Sequence, residues 1–260
     1  MKRTRTTLDC TAFPAELAPL LQGSTIYDSS CSPEARVYFL DGPVGYYLKV
    51  SRKGTLATEA QMTNYFRASG LGTTEVRYLS TDRDYLLTAR VAGEDCTHPD
   101  YLADPKRLCD LLAERLRLLH ALPATDCPID RTSAYLATVA DGFAQGRIDL
   151  SYYEEDYGAT TPEAAYALVQ AAAPRLAHDT LLHGDYCLPN VMLDSWQFSG
   201  FIDVGNGGMG DRHIDLFWGA WTLRYNLKTD HYRDRFFDAY GRDQIDDTLL
   251  RAVAAAEVFG

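Results

Sequence analysis

The chain has 260 residues, enough for one large domain or two packed lobes that each bury a core. With 46% hydrophobic and 23% charged residues it is neither disordered nor fibrous. A formal net charge of −11 repels phosphate backbones, which argues against nucleic acid as a partner, and suits a cationic small molecule drawn to an acidic cleft. Six cysteines with no C-x-x-C pair give no support for a zinc or dithiol site and fit a reducing cytosol. The polar start Met1-Lys2-Arg3-Thr4-Arg5-Thr6-Thr7 has no apolar segment behind it, and no apolar run approaches the ~20 residues that span a bilayer. A cytoplasmic protein without membrane partners is expected.

In chain order, β-branched and aromatic runs at 36–41 and 46–50 flank Asp41-Gly42-Pro43-Val44-Gly45 and predict a hairpin. Residues 58–69 predict a helix stopped by Gly70. A second hairpin is predicted from 76–79 and 85–89 around Thr81-Asp82-Arg83-Asp84. Beyond about residue 92 the character turns helical. Asp104-Pro105 reads as an N-cap with proline at the first helical position, followed by Leu108, Leu111, Leu112, Leu116 and Leu119 at helical spacing. Thr160-Thr161-Pro162-Glu163 predicts another helix start, with the helix reaching about Ala177. A short hairpin is predicted at 191–194 and 198–204, then helices at 211–227, 232–240 and 246–258. The expected fold is α+β and two-lobed: a small β-rich N-lobe over 1–91 and a larger, mainly helical C-lobe over 92–260.

The strongest chemical signal is His183-Gly184-Asp185-Tyr186-Cys187-Leu188-Pro189-Asn190, followed by Phe201-Ile202-Asp203-Val204-Gly205. Phosphoryl transfer needs a carboxylate to orient the attacking hydroxyl and oxygen ligands to hold Mg²⁺ on the nucleotide phosphates. Asp185 and Asn190 have the separation of the catalytic Asp and metal-binding Asn in H-R-D-x-x-x-x-N, and Asp203-Val204-Gly205 stands where a metal-binding D-F-G follows. Upstream, Tyr46-Tyr47-Leu48-Lys49-Val50 is a strand carrying a lysine for the α- and β-phosphates, and Glu59 opens the next helix as its ion-pair partner. The serine-rich loop around Ser32 lies between two presumed strands and can cradle phosphate with hydroxyls and backbone N–H groups.

Competing patterns are weaker. Gly205-Asn206-Gly207-Gly208-Met209-Gly210 fits G-x-G-x-x-G, but no acidic strand follows to complete a βαβ unit, and the glycines are read as letting the chain turn away from the metal site. There is no G-x-S-x-G elbow, and His178 and His183, five apart, do not share a helix face. His183 is read as packing the catalytic loop.

The set His183-Gly184-Asp185 with Asn190, then Ser199-Gly200-Phe201-Ile202-Asp203, resembles the aminoglycoside phosphotransferases, notably the 3'-phosphotransferases. The resemblance runs from about residue 24 to the end and implies a protein-kinase-like fold with ATP and Mg²⁺. It implies adenine near Tyr47 and the segment Thr88, Ala89 and Val91, phosphates at Lys49, metal at Asn190 and Asp203, and Asp185 as the catalytic aspartate. It further implies that acidic residues hold the polycationic substrate: here Glu154, Glu155 and Asp156, with Glu257 near the C-terminus, by charge-assisted hydrogen bonds to ammonium groups. Two departures touch the expected substrate pocket. Asn206 stands where members commonly carry Arg after the metal-site Asp-x-Gly, and Tyr225 and Asn226 stand where some carry acidic residues. A kinase of the same fold acting on another alcohol, or a non-catalytic nucleotide-binding homologue, remains an alternative.

Overall fold

The computed structural model describes residues 3–31, 33–124, 126–149 and 161–259. The chain divides into two compact units, Met1–Gly93 with Met192–Gly205, and Glu94–Val191 with Asn206–Gly260. The sequence places one boundary at 91/92, whereas the first unit also takes in the hairpin that ends in Asp203. The reason is local pairing: the Phe201 N–H donates to the Leu71 carbonyl at 2.7 Å, and the Phe201 ring meets Phe66 edge-on at 6.0 Å.

The first unit is an antiparallel sheet of β1 (Thr4–Thr6), β2 (Thr25–Asp28), β3 (Arg36–Asp41), β4 (Tyr46–Arg52), β5 (Val76–Ser80) and β6 (Arg83–Ala89), in the order β1-β2-β3-β4-β6-β5. Strand alternation sorts its side chains into two faces. One face carries Ile26, Leu40, Leu48, Val50 and Leu87 into a core closed by Leu17 and by Leu21 of the short helix α1 (Ala18–Gln22). The register Phe39↔Tyr47 and Val37↔Lys49 puts Tyr47 and Lys49 on the opposite face. Helix α2 (Ala57–Ala68) lies on that second face, with Leu56 and Ala60 packed on Leu86, the cross-strand partner of Lys49. No side chain of its own caps α2. Instead the buried Asp84 of β6 accepts the Leu56 N–H at 3.0 Å, which pins the helix start to the sheet.

The second unit is built from α3 (Pro99–Leu102), α4 (Pro105–His120), α5 (Arg131–Ala144), α6 (Pro162–Ala172), α7 (His213–Leu227), α8 (Arg233–Tyr240) and α9 (Asp247–Ala256). Asp104 caps α4 by accepting the Arg107 N–H at 3.2 Å, and Thr161 caps α6 by accepting that of Ala164 at 3.2 Å. Helix α6 ends at Ala172 rather than near Ala177, because Pro174 lacks an N–H and a tight turn, Ala173–Arg175, replaces the last helical turns. Helix α5 is an element the sequence reading does not contain. Asp130 caps it through the Ser133 N–H at 3.0 Å, and Thr132, Tyr135, Val139 and Gly142 form its buried stripe. A second addition is the two-stranded pair Thr180–Leu182 with Gly208–Gly210. The glycine run is therefore paired backbone rather than a simple turn, and the strand it pairs with leads straight into His183. Helices α4, α7 and α8 pack on one another, and α9 packs on both α6 and α7. Among the described residues no helix is long and apolar enough to cross a membrane.

Candidate active site

In the first unit three charges meet. Lys49 Nζ donates to Glu59 Oε2 at 2.8 Å and Oε1 at 3.0 Å, and to Asp203 Oδ1 at 3.0 Å. Burial works against the ammonium charge, but the Asp203 and Glu59 carboxylates outweigh it and hold the Lys49 pKa above its ordinary value. The lysine is thus a fixed cation, aimed by two acids. Asp203 has a left-handed backbone (φ 58°), which costs a non-glycine residue of order 1 kcal/mol and is typical of functional loops. Gly205 lets this loop close on α2, since a Cβ there would stand 3.2 Å from both Cβ and Cγ of Glu59.

The expected nucleotide residues lie on this unit as follows. Tyr47 pairs across strands with Thr88 and packs on Phe39 at 5.0 Å between ring centroids, and its hydroxyl accepts from Arg3 at 2.7 Å. Ala89 has both backbone groups engaged, its N–H donating to the Glu75 carbonyl at 3.0 Å and its C=O accepting from Thr73 Oγ1 at 2.6 Å. Val91 is buried. Ser32 lies outside the described residues, next to a loop held by the Val37 N–H donating to Ser30 Oγ at 3.0 Å.

In the second unit the loop His183–Asn190 is suspended from a residue that sequence reasoning missed. Asp215 of α7, fully buried, accepts the His183 N–H through Oδ2 and the Gly184 N–H through Oδ1, each at 2.7 Å. Its Oδ2 also meets His120 Nε2 at 3.1 Å, while His120 Nδ1 meets the Tyr240 hydroxyl at 2.8 Å. Burial lowers the His120 pKa despite the pull of Asp215, so the ring is neutral, with Nε2–H donating to Asp215 and Nδ1 accepting from Tyr240. The sequence signal was present as a second aspartate four residues after Asp211, but an acid in a helix reads as surface until its burial is known. Gly184 is required by contact: it has φ 83°, and a Cβ there would fall 1.7 Å from the Asn206 carbonyl oxygen. His183 packs the loop, fully buried, with Nδ1 accepting the Asp185 N–H at 3.3 Å.

Asn190 fixes Asp185. Its side-chain NH₂ donates to Asp185 Oδ2 at 2.9 Å and to the Asp185 carbonyl at 3.0 Å. Asp185 and Asn190 both line a cavity of about 540 Å³. Helix α5 supplies one wall with Arg131, Tyr135, Thr138 and Val139, and α7 supplies another with Trp218, Trp221, Tyr225 and Asn226. Asn206 and Glu257 complete it, so Asn206, Tyr225 and Asn226 line the same cavity as Asp185. Trp221 and Tyr225 stack at 4.9 Å with planes 12° apart, and Trp218 meets Trp221 edge-on at 5.4 Å.

Glu257 is the buried acid of this cavity. Its Oε1 accepts from the Tyr135 hydroxyl at 2.7 Å, and the Trp218 indole also donates to it. Burial pushes its pKa up to about 7, against the pull of Tyr135 and Arg131. An ammonium group entering the cavity would find there a carboxylate already dressed with donors and ready to ionise. Glu154, Glu155 and Asp156 lie outside the described residues.

This yields a stability prediction. A carboxyl carried from near 4.5 to about 7 holds more protons folded than unfolded in that window, so its contribution to stability falls as pH rises from 4.5 to 7 and is flat above. Glu257→Gln keeps the acceptor for Tyr135 and removes the buried charge. It should raise stability at pH 8 by up to about 3 kcal/mol, and by much less at pH 5. Thermal melts at the two pH values check this, and an equal or opposite shift at pH 8 would contradict it.

The model of the phosphotransferase enzyme family matches residues 33–254. The probable aminoglycoside 3'-phosphotransferase of Lactococcus lactis subsp. lactis (strain IL1403) is 51% identical over 250 residues, 95% of each chain. The aminoglycoside 3'-phosphotransferase of Niallia circulans is 33% identical over 169 residues, 65% of this chain and 64% of that one. Among solved structures, aminoglycoside-3'-phosphotransferase of type VIII superposes with a TM-score of 0.74 at 24% identity, covering 95% of this chain and all of that one. The α+β, kinase-like architecture expected from sequence is therefore the observed one. The chain belongs to the phosphotransferase enzyme family, among the aminoglycoside phosphotransferases.

Proposed function

We propose that the protein is an ATP- and Mg²⁺-dependent kinase that phosphorylates a hydroxyl of an aminoglycoside, the 3'-hydroxyl by analogy with its relatives, and so confers resistance. The observation that carries this reading is Asp185: its carboxylate is held by Asn190 at the edge of a cavity that also contains the buried acid Glu257. A carboxylate to orient a hydroxyl and a second one to receive an ammonium group are what such an acceptor requires. A relative of the same fold, an aminoglycoside phosphotransferase from Streptomyces rimosus (TM-score 0.72, 21% identity, covering 97% of this chain and 99% of that one), was solved with ADP and streptomycin.

On this reading the first unit serves the nucleotide and the second the acceptor. Lys49, aimed by Glu59, holds the α- and β-phosphates, with Tyr47, Thr88 and Val91 toward the base. Asn190 and Asp203 are the residues that would hold magnesium. The donor set fits: the Asn190 NH₂ is committed to Asp185, which leaves its amide oxygen as the acceptor, and Asp203 Oδ2 is not the oxygen that meets Lys49. With two protein oxygens offered, the rest of the shell would come from phosphate and water, as suits Mg²⁺. When bound, the cation would neutralise charge developing on the phosphates. Asp185 accepts the hydrogen bond of the acceptor hydroxyl, aims its oxygen at the γ-phosphorus, and takes the proton. The new P–O bond forms as the bond to the β-phosphate oxygen breaks, releasing ADP. Positioning and electrostatics supply most of the acceleration.

The cavity wall of Trp218, Trp221 and Tyr225 favours a second reading, in which the same machinery phosphorylates a less cationic, ring-shaped alcohol. Coupled ADP-release assays with Mg-ATP and an aminoglycoside panel separate the two. Acceptor-dependent release with aminoglycosides supports the first, and release only with uncharged sugars or cyclitols sinks it.

A further inference from the structure

The cavity contains a charge of the wrong sign for a polycation. Arg131, the first residue of α5, lines the same cavity as Asp185 and Glu257. Its Nε is buried without a hydrogen-bond partner, and among the described residues its guanidinium makes no hydrogen bond or ion pair, only a distant approach to the Tyr135 ring at 5.6 Å. It feels the carboxylates of Glu257, Asp215 and Asp185 without pairing with any of them, and burial lowers its pKa. A guanidinium whose Nε is buried without a partner among the described residues is costly, so a group that accepts hydrogen bonds from it in the bound state would recover that cost. An ammonium in the same place would add like-charge repulsion.

We propose that Arg131 is a specificity-determining residue: from the α5 wall it donates to an oxygen of the acceptor ring held at Asp185, and it selects hydroxyl over ammonium at that ring position. Glu257 then receives an ammonium on another edge, so the pair of opposite charges sets which way the ring enters. This rests on the aminoglycoside reading above. Specificity of this kind comes as much from the repelled analogue as from the accepted one.

Two natural pairs of acceptors test it, each differing by hydroxyl against ammonium on the ring that bears the 3'-hydroxyl: kanamycin A against kanamycin B at the 2' carbon, and paromomycin against neomycin at the 6' carbon. The wild type should favour the hydroxyl member of at least one pair in kcat/KM by roughly tenfold or more. Arg131→Met should bring that ratio near one, chiefly by raising KM for the hydroxyl member and lowering it for the amine, and Arg131→Lys should keep its direction. A merely structural arginine would weaken both members of a pair together and leave the ratio unmoved. That parallel loss, or a wild type favouring ammonium in both pairs, overturns the inference while the kinase reading stands. No turnover of any of the four compounds overturns the aminoglycoside reading and the inference with it.

Discussion

Asp185→Asn should lower kcat by roughly 10²- to 10⁴-fold while leaving nucleotide affinity within a few-fold of wild type. The substitution is nearly isosteric, and an asparagine oxygen can still accept from the Asn190 NH₂ that now lies 2.9 Å from Asp185 Oδ2, so the loop keeps its shape. What is lost is the negative charge that orients the acceptor hydroxyl and takes its proton. Nucleotide contacts should survive, because Lys49, Glu59 and Asp203 form their own cluster in the first unit. Steady-state kinetics with a calorimetric nucleotide titration check both halves. A variant with normal kcat would remove Asp185 from the mechanism. One that had lost nucleotide binding would show that the residue does more than engage the acceptor.

The second large effect is expected at a residue that touches no substrate. Asp215→Asn should destabilise the protein by about 3–5 kcal/mol and lower kcat through misplacement of Asp185. The two carboxylate oxygens accept from His183 N–H, Gly184 N–H and His120 Nε2, all in a site with no access to solvent. An amide offers one oxygen where two are needed and turns an NH₂ toward another donor. At least one buried N–H is then left unpaired and the loop backbone must shift. Typical total stability is about 5–15 kcal/mol, so much of it is at stake. Urea melts give the stability and kinetics below the transition give the activity. A loss under 1 kcal/mol with unchanged kcat would show that the loop is held by something else.

These two residues mark what the sequence could and could not reveal. Asp185, Asn190 and Asp203 lie within 19 positions of one another, and Lys49 and Glu59 are ten apart, so their spacing is a local signal that survives without coordinates. The strands were legible for the same reason: the alternation in β3 and β4 separates a buried face from the face that carries Lys49. The acceptor cavity was not legible. Its walls come from α5, about 50 residues before Asp185, and from α7, about 35 after it, and only folding brings them together. Helix α5 has no clear signal in the sequence because its buried stripe of Thr132, Tyr135, Val139 and Gly142 is weakly apolar. The segment of α7 reads as a helix, but it is buried on most sides, so no stripe in the sequence singles out Trp218 and Trp221 as cavity-facing. The strand at Gly208–Gly210 was hidden for a further reason: two of its three residues have no side chain, and pairing rests on the main chain alone. Glu257 was singled out by resemblance, but its burial against Tyr135, which decides its protonation, follows from the packing of α5 and α9.

Presentation of an aminoglycoside hydroxyl to Asp185 by the second unit is the heart of the proposed function. Its most direct test is to incubate the purified protein with Mg-ATP and kanamycin A and to identify the product by mass spectrometry and phosphorus–proton correlation NMR. The expected product is an antibiotic heavier by a single phosphoryl group, its phosphorus coupled to the proton at the 3' carbon, and formed neither without magnesium nor by Asp185→Asn. An unmodified antibiotic beside an active, folded protein that turns over ATP with some other alcohol would contradict it.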